Sequence, residues 1–324
     1  MGSELVARLR KLLRRRRLRV MPKWEPCGLT NAMMEGKRMD MIHQTAARLQ
    51  DCNLYIFDLD GTVYEETGQF DVYRDELAKR VSPDKTQKFL ADLNQAFTGQ
   101  HSLKLGSSYH LESGLIRQGQ TVVDWAGQTV VENPTSNWIH VGDPWVIYRV
   151  AARHYGLSQE QVQAAFAATR THMQSDDFPM QGLPGLLEAI TALKQQGCHF
   201  VLMTNSPEPD SRDILSKLGL ADAFDKAIFL AHKEFQARQH LAELRDLFNL
   251  PNHQMVSIGD NFRNEILPAL AMGMKAIYID RYQIPDRTTG PWEDSLVEVS
   301  HPRALAPLLQ SIATIRSTKT RDRP

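Results

Sequence analysis

From Pro184 onward the chain alternates two hydrophobic rhythms. Segments with apolar positions every three to four residues, at 184–196, 209–218, 234–248 and 262–272, predict helices; the short apolar, β-branched runs at 199–204, 226–230, 254–258 and 275–279 predict strands between them. Gly197, Gly219, Gly259 and Gly273 fall at element ends. One earlier stretch, Leu54-Tyr-Ile-Phe57, is continuously apolar rather than alternating, which predicts a strand buried on both faces. Strands regularly separated by helices imply an α/β fold, a parallel sheet with helices on both faces, drawn from residues 41–64 and 182–315. A closing helix at 304–315 is expected to pack back on that sheet. A basic tail without structure, 316–324, follows it.

Residues 65–181 break the rhythm. Ser82-Pro83-Asp84 opens a helix at 84–97, Leu115–Arg117 and Thr121–Val131 read as a hairpin-like region, and helices at 144–155 and 159–173 are divided by Gly156-Leu157-Ser158. This is the pattern of an inserted, mainly helical domain with a small β element, its Trp125, Trp138 and Trp145 serving its core or the interface with the sheet domain. Residues 1–40 differ again: Leu5, Val6, Leu9, Leu12 and Leu13 recur at helical spacing among arginines. A basic amphipathic helix of this kind suits a membrane surface, organellar targeting or a partner. Later methionines at 21, 33, 34, 39 and 41 favour the simpler reading of an extension without structure.

Composition narrows the function classes. The chain is 42% hydrophobic and formally neutral over 324 residues, enough for a sizeable core. Because its basic residues crowd the two ends, a nucleic-acid-coating surface is not indicated. Cys27, Cys52 and Cys198 are widely spaced, so neither a disulfide framework nor a thiolate metal site is expected, and a reducing cytoplasm fits best. No apolar run reaches the length of about 18 residues that a membrane span needs. Nothing in the sequence sets an oligomeric state.

Open parallel sheets bind ligands beyond the carboxyl ends of their strands. The first strand ends in Asp58 and Asp60, two apart and so on one side; the 199–204 strand ends in Thr204-Asn205-Ser206; Lys233 follows the 226–230 strand; Gly259-Asp260 ends the 254–258 strand, with Glu265 a helical turn later. Like charges as close as Asp58 and Asp60 call for a cation. A hard divalent ion such as Mg²⁺ takes one or two carboxylates and a substrate phosphate, a lysine and a threonine add donors to phosphate oxygens, and an aspartate can act as nucleophile. The set suits phosphoryl transfer.

Asp58-Leu-Asp60-Gly-Thr62, Thr204 after Val201-Leu-Met, and Gly259-Asp260 followed by Glu265 together resemble the motifs of the haloacid dehalogenase superfamily, in its phosphatase-type branch. The resemblance implies a Rossmann-like core with a cap inserted after the first motif, the C1 arrangement, since the short interval from Thr204 to Lys233 has no room for a second kind of cap. It implies Asp58 as the nucleophile that becomes an aspartyl phosphate, and Asp60 as the proton carrier. Thr204, backbone amides near Asn205, and Lys233 would hold phosphate, with Lys226 as the alternative lysine. Asp58, the backbone carbonyl of Asp60, Asp260 and, more remotely, Glu265 would hold Mg²⁺. Dehalogenase members lack the aspartate two after the nucleophile, so Asp60 favours phosphate chemistry. The expectation is a Mg²⁺-dependent phosphatase of a small phosphorylated metabolite (phosphoglycolate-, sugar- or nucleotide-phosphate-like), with a phosphomutase, or a scaffold held to membranes or partners by the basic N-terminus, as alternatives. Tyr64, then Tyr109, His110, Arg117 and Arg149, are the candidates for contact with the rest of the substrate.

Overall fold

The computed structural model describes residues 41–284 and 290–321. The expected amphipathic helix at the N-terminus, with its membrane, targeting or partner roles, lies outside the described residues. Six parallel strands form one sheet in the order β10-β9-β8-β1-β6-β7: β1 Leu54–Phe57, β6 His199–Met203, β7 Lys226–Ile228, β8 Met255–Gly259, β9 Lys275–Ile279 and β10 Leu296–Val299. β1 pairs in register with β6 on one side and β8 on the other, Phe57 lying opposite Leu202 and Ile258. The side-chain period of two explains why β1 reads as unbroken apolar sequence. Tyr55 and Phe57 enter the core shared with Phe200, Leu202, Val256 and Ile258, while Leu54 and Ile56 enter the opposite one with Val201, Met203, Leu241 and Leu244. The expected α/β core with both faces covered is therefore the observed one.

The inserted region holds helices α1 (Gly68–Ala78), α2 (Pro83–Phe97), α3 (Pro144–His154) and α4 (Gln159–Gln174) and a four-stranded antiparallel sheet, order β4-β3-β2-β5. Its strands are β2 Ser108–His110, β3 Ile116–Gln118, β4 Thr121–Val123 and β5 Trp138–His140. Sequence periodicity missed α1, β2, β5 and β10. Strands of three or four residues carry too little alternation to register, and α1 opens Gly-Gln-Phe-Asp without a side-chain cap. The hairpin's second arm also ends at Val123 rather than Val131. The core of the insert packs Tyr73, Phe89, Tyr109, Ile116, Ile147 and Val162, and Trp145 packs against both this cluster and the main one. Trp125 belongs to the insert's core, and Trp138 lies under Arg117, 4.1 Å from ring centre to guanidinium carbon.

Returning to the sheet domain, the chain forms α5 (Leu186–Lys194), α6 (Glu208–Lys217), α7 (Lys233–Phe248), a π-turn at Phe262–Ile266 leading into α8 (Leu267–Ala271), and α9 (Leu305–Arg321). α9 runs past Ile315 into the stretch expected to be an unstructured tail. The reason is a tertiary contact: the Arg316 guanidinium donates to the carbonyls of Gln50 and Cys52 and to Oδ1 of Asn53, at 2.7, 3.0 and 2.9 Å, tying that turn to the entry of β1. Cys52 and Cys198 are buried free thiols. Among the described residues no helix is long and apolar enough to cross a membrane.

A half-buried histidine makes the insert acid-sensitive. His154 stacks on Trp125 with ring centres 3.6 Å apart and pairs through Nδ1 with the Tyr109 hydroxyl at 3.1 Å; burial depresses it from 6.5 to about 4. A histidine held neutral in the fold contributes stability above its unfolded pKa and loses it as pH falls through the folded one. Stability is thus expected to decline between pH 6.5 and about 4, by on the order of 1 kcal/mol once solvent screening is allowed for. Urea midpoints across that window, flattened in His154→Phe, check it.

Candidate functional site

Three strand ends and two turns build the site. Asp58 follows β1 and its N–H donates to the Ile258 carbonyl at 2.9 Å, so its position is an extension of the sheet ladder. Thr204 follows β6, its N–H donating to the Ile228 carbonyl at 2.9 Å; Asp260 follows β8. Lys233 opens α7, placed there by a turn in which Leu230 and His232 take left-handed φ values of 46° and 45°. That backbone costs each of them about 1–2 kcal/mol. It is held by bonds to the β6 loop: Leu230 N–H to the Ser206 carbonyl, Ala231 N–H to the Thr204 carbonyl, and Lys233 N–H to Asn205 Oδ1, at 3.1, 2.9 and 2.9 Å.

Lys233 is 4% exposed, and its ammonium donates at 2.5 Å to both Asp58 Oδ1 and Glu265 Oε1. Lys226 instead is exposed at the start of β7, opposite Val201, with β6 standing between it and β1. Thr62 donates to Asp58 Oδ2 at 3.4 Å. Carboxylate oxygens of Asp58, Asp260 and Glu265 lie within 4.8 Å of one another, all three buried. Burial, with Glu265, Asp58 and Asp143 beside it, pushes Asp260 well above the usual carboxylate range. Burial, reinforced by Asp58 and opposed by Lys233, raises Glu265 to about 7; burial likewise raises Asp58 against the pull of Lys233. Three crowded acids with one shared lysine are short of positive charge, and all their donor atoms are hard oxygens, so the trio fits a divalent cation such as Mg²⁺. Glu265 is the least free to bind directly, since Oε1 takes Lys233 and Oε2 takes the Asn261 N–H at 2.9 Å.

Two glycines make room for these acids. A Cβ on Gly259 would lie 1.9 Å from Glu265 Oε2, and one on Gly61, where φ is +85°, would lie 2.3 Å from Asp260 Oδ2. Gly61→Ala is therefore expected to displace Asp260, to weaken Mg²⁺ binding, and to cost about 1–2 kcal/mol in backbone strain. Melting curves with and without Mg²⁺ measure both effects: the variant melts lower, and Mg²⁺ raises its Tm less.

Asp60 faces a different set of groups. Its Oδ1 accepts from the Tyr64 hydroxyl and from Arg170 Nη1 at 2.6 Å, and its Oδ2 accepts from the Ser206 hydroxyl at 2.8 Å. Burial alone would raise this carboxyl, but the Arg170 charge and the hydrogen bonds from Tyr64, Ser206 and Arg170 outweigh it and hold Asp60 below its ordinary range. Arg170 comes from α4 of the insert, is 2% exposed, and is steadied by Asp210 of α6 through Nε at 2.5 Å. Sequence reasoning missed Arg170 and Asp210, and placed Ser206 at a strand end without giving it a role. One signal for Arg170 was available: Val162, Phe166, Arg170 and Met173 follow a helical stripe, so a charge falls on the buried face.

The other candidates divide between the rim and the insert. Thr204 is buried and its hydroxyl accepts from the Ser206 N–H at 3.1 Å. The Asn205 side chain turns to the α7 entrance, with Nδ2 donating to Glu234 at 3.0 Å, which leaves its backbone as the group near the rim. Tyr64 is fully buried with its hydroxyl on Asp60. Tyr109 and His110 serve the insert, on His154 and on Ser113 (2.8 Å), Arg117 covers Trp138, and Arg149 is exposed on α3.

The sequence matches the family model described as haloacid dehalogenase-like hydrolase over residues 52–273. Similar solved structures include a haloacid dehalogenase-like family hydrolase from Xanthomonas campestris, 18% identical, covering 83% of this chain and 95% of that one with a TM-score of 0.45. A predicted phosphoglycolate phosphatase from Haemophilus somnus is 14% identical over 70% and 85% of the two chains, TM-score 0.40. The L-2-haloacid dehalogenase from Xanthobacter autotrophicus with chloropropionic acid covalently bound is 12% identical over 80% and 98%, TM-score 0.42. Among curated proteins, none matches the chain.

Proposed function

The chain belongs to the haloacid dehalogenase-like hydrolase family, and within that family we propose that it is a Mg²⁺-dependent phosphatase acting on a small phosphorylated molecule. The observation that carries this reading is Asp60: a second carboxylate beside Asp58, with Tyr64, Ser206 and Arg170 committed to holding it. Displacement of halide from carbon needs no proton for the leaving ion. An alkoxide leaving from phosphorus does.

Asp58 and Asp260, with Glu265 orienting the loop between, would hold the cation, whose charge lets a phosphate dianion approach the carboxylates. Asp58 then attacks phosphorus through a carboxylate oxygen, the bond to the leaving oxygen breaks, and that oxygen takes the proton of Asp60. Lys233 offsets the negative charge gathered between Asp58 and the phosphoryl group. In the Thr204–Ser206 loop the Thr204 N–H serves the Ile228 carbonyl and the Ser206 N–H serves Thr204 Oγ1, so the Asn205 N–H is the backbone donor proposed for the phosphate. In the second step the Asp60 carboxylate removes a proton from water as it attacks phosphorus, releasing phosphate and regenerating Asp58. The arrangement described is the one suited to this second step; the acid form requires Arg170 to yield Oδ1.

Phosphate release from an aryl phosphate and from a panel of phosphorylated metabolites, each with and without Mg²⁺, tests the reading, with halide release from 2-haloacids as the counter-assay. Mg²⁺-dependent phosphate release supports it. Halide release without phosphate release overturns it, and isomerised product in place of free phosphate points to a mutase.

A further inference from the structure

Among the described residues, one hydrogen bond ties the insert to the loop from Asp260 to Glu265. Asn261 follows Asp260, and three of its polar groups are engaged at once: its N–H donates to Glu265 Oε2 at 2.9 Å, its Oδ1 accepts from the Asn264 N–H at 3.2 Å, and its Nδ2 donates to Asp143 Oδ2 at 3.1 Å. Asp143 belongs to the insert, where its other oxygen caps α3 by accepting from the Val146 N–H at 3.0 Å. The approach is close because residue 142 is glycine. A Cβ there would lie 2.8 Å from Asn261 Nδ2 and 3.1 Å from its Oδ1, and the backbone of Gly142 lies outside the left-handed region, so the glycine provides space rather than conformational freedom.

Charge makes this contact conditional. Asp143 adds to the negative field on Asp260, and Asp58 in turn opposes its ionisation, with burial the larger cause. Seating the insert thus brings a fourth carboxylate towards Asp58, Asp260 and Glu265, against Lys233 within the trio and the more distant Arg281 and Arg149. Without a cation this contact opposes the closure that Arg170 of the insert favours through Asp60 and Asp210. With one, Asp143 joins a neutralised cluster.

Resting on the cation-dependent reading above, we infer that Asp143 is a positioning residue for the cation site, holding the Asp260–Glu265 loop in its binding arrangement through Asn261 only while the cap is seated. Cation affinity and cap closure are then linked, and by reciprocity each strengthens the other.

The test uses the full chain, Mg²⁺ alone as the probe, and two readouts: the Mg²⁺ dissociation constant by calorimetry, and the cap-to-core distance between dyes at the exposed positions Lys85 and Gln239. Gly142→Ala leaves every charge and every acid in place and wedges the contact. Its Mg²⁺ affinity is expected to fall about tenfold, and its dye distance to stay long at saturating Mg²⁺, whereas the unaltered chain shortens. Asp143→Asn keeps a competent helix cap and removes the charge; its dye distance is expected not to respond to Mg²⁺, and it supplies the comparison should the wedge prevent folding. Unaltered Mg²⁺ affinity in Gly142→Ala, or a dye distance in the unaltered chain that ignores Mg²⁺, overturns the inference while leaving Mg²⁺-dependent phosphate release intact. Failure of the unaltered chain to bind Mg²⁺ overturns both.

Discussion

Replacing Asp58 by Asn is expected to abolish phosphate release, lowering turnover by about 10⁴-fold or more, because no other carboxylate lies where the β1 ladder delivers one to the phosphorus. The fold should survive. The Asp58 charge is itself a strain on the native state, raised by burial and by Asp60, and an amide of nearly the same volume removes that strain while Lys233 keeps Glu265 as a partner at 2.5 Å. Thermal melting within about 3 °C of the parent, beside absent turnover, is the combined result that assigns the nucleophile. Retained turnover in a folded Asp58→Asn protein removes Asp58 from that role.

Lys233→Met should damage both activity and stability. The ammonium is the shared partner of two buried carboxylates, and removing one member of a buried ion pair leaves uncompensated charge at a cost of about 3–5 kcal/mol. In a chain of this size that lowers Tm by roughly 4–7 °C. The sign of the pH dependence follows from Glu265, raised to about 7 even with the lysine present. An acid raised in the folded state supports folding below its unfolded pKa of 4.5 and ceases to do so as pH climbs through the folded value. Loss of Lys233 raises the folded value further, so the variant's deficit should be largest near pH 8 and shrink towards pH 5. Mg²⁺ should restore part of it at pH 8, where protons do not compete for the carboxylates. Calorimetric melts at the two pH values, with and without Mg²⁺, read all three effects; a deficit independent of pH and Mg²⁺ would sink the electrostatic account of Lys233.

What was legible before the fold was known had a common property. Asp58, Asp60, Thr204, Lys233 and Asp260 each stand within a few residues of the end of a strand strong enough to recognise, so the sheet topology alone carries them to one rim. The preference for Lys233 over Lys226 was also legible, because Lys233 stands at the start of a helix that follows a strand, whereas Lys226 begins the strand itself. The insert was not readable to the same depth. Its strands are three residues long, and α1 lacks a side-chain cap, so local signals were too weak to outline it. The continuation of α9 was missed for another reason. A run such as Arg316 to Arg321 reads as solvated charge until Arg316 meets the carbonyls that precede β1.

By itself the sequence determined the α/β core and which acidic and basic groups stand at its rim, since these depend on short-range order: strand, turn, helix, and which residue stands at each junction. Only the tertiary structure decided what each acid faces. Asp60 is held by an arginine 110 residues away and a serine 146 residues away, and the metal-site loop meets an aspartate 118 residues before it in the insert. Such partners share no spacing rule, because the insert can be seated on the core in many ways that local sequence does not distinguish. The choice among them is made by burial, which leaves a charge such as Arg170 only those positions where Asp60 and Asp210 can answer it.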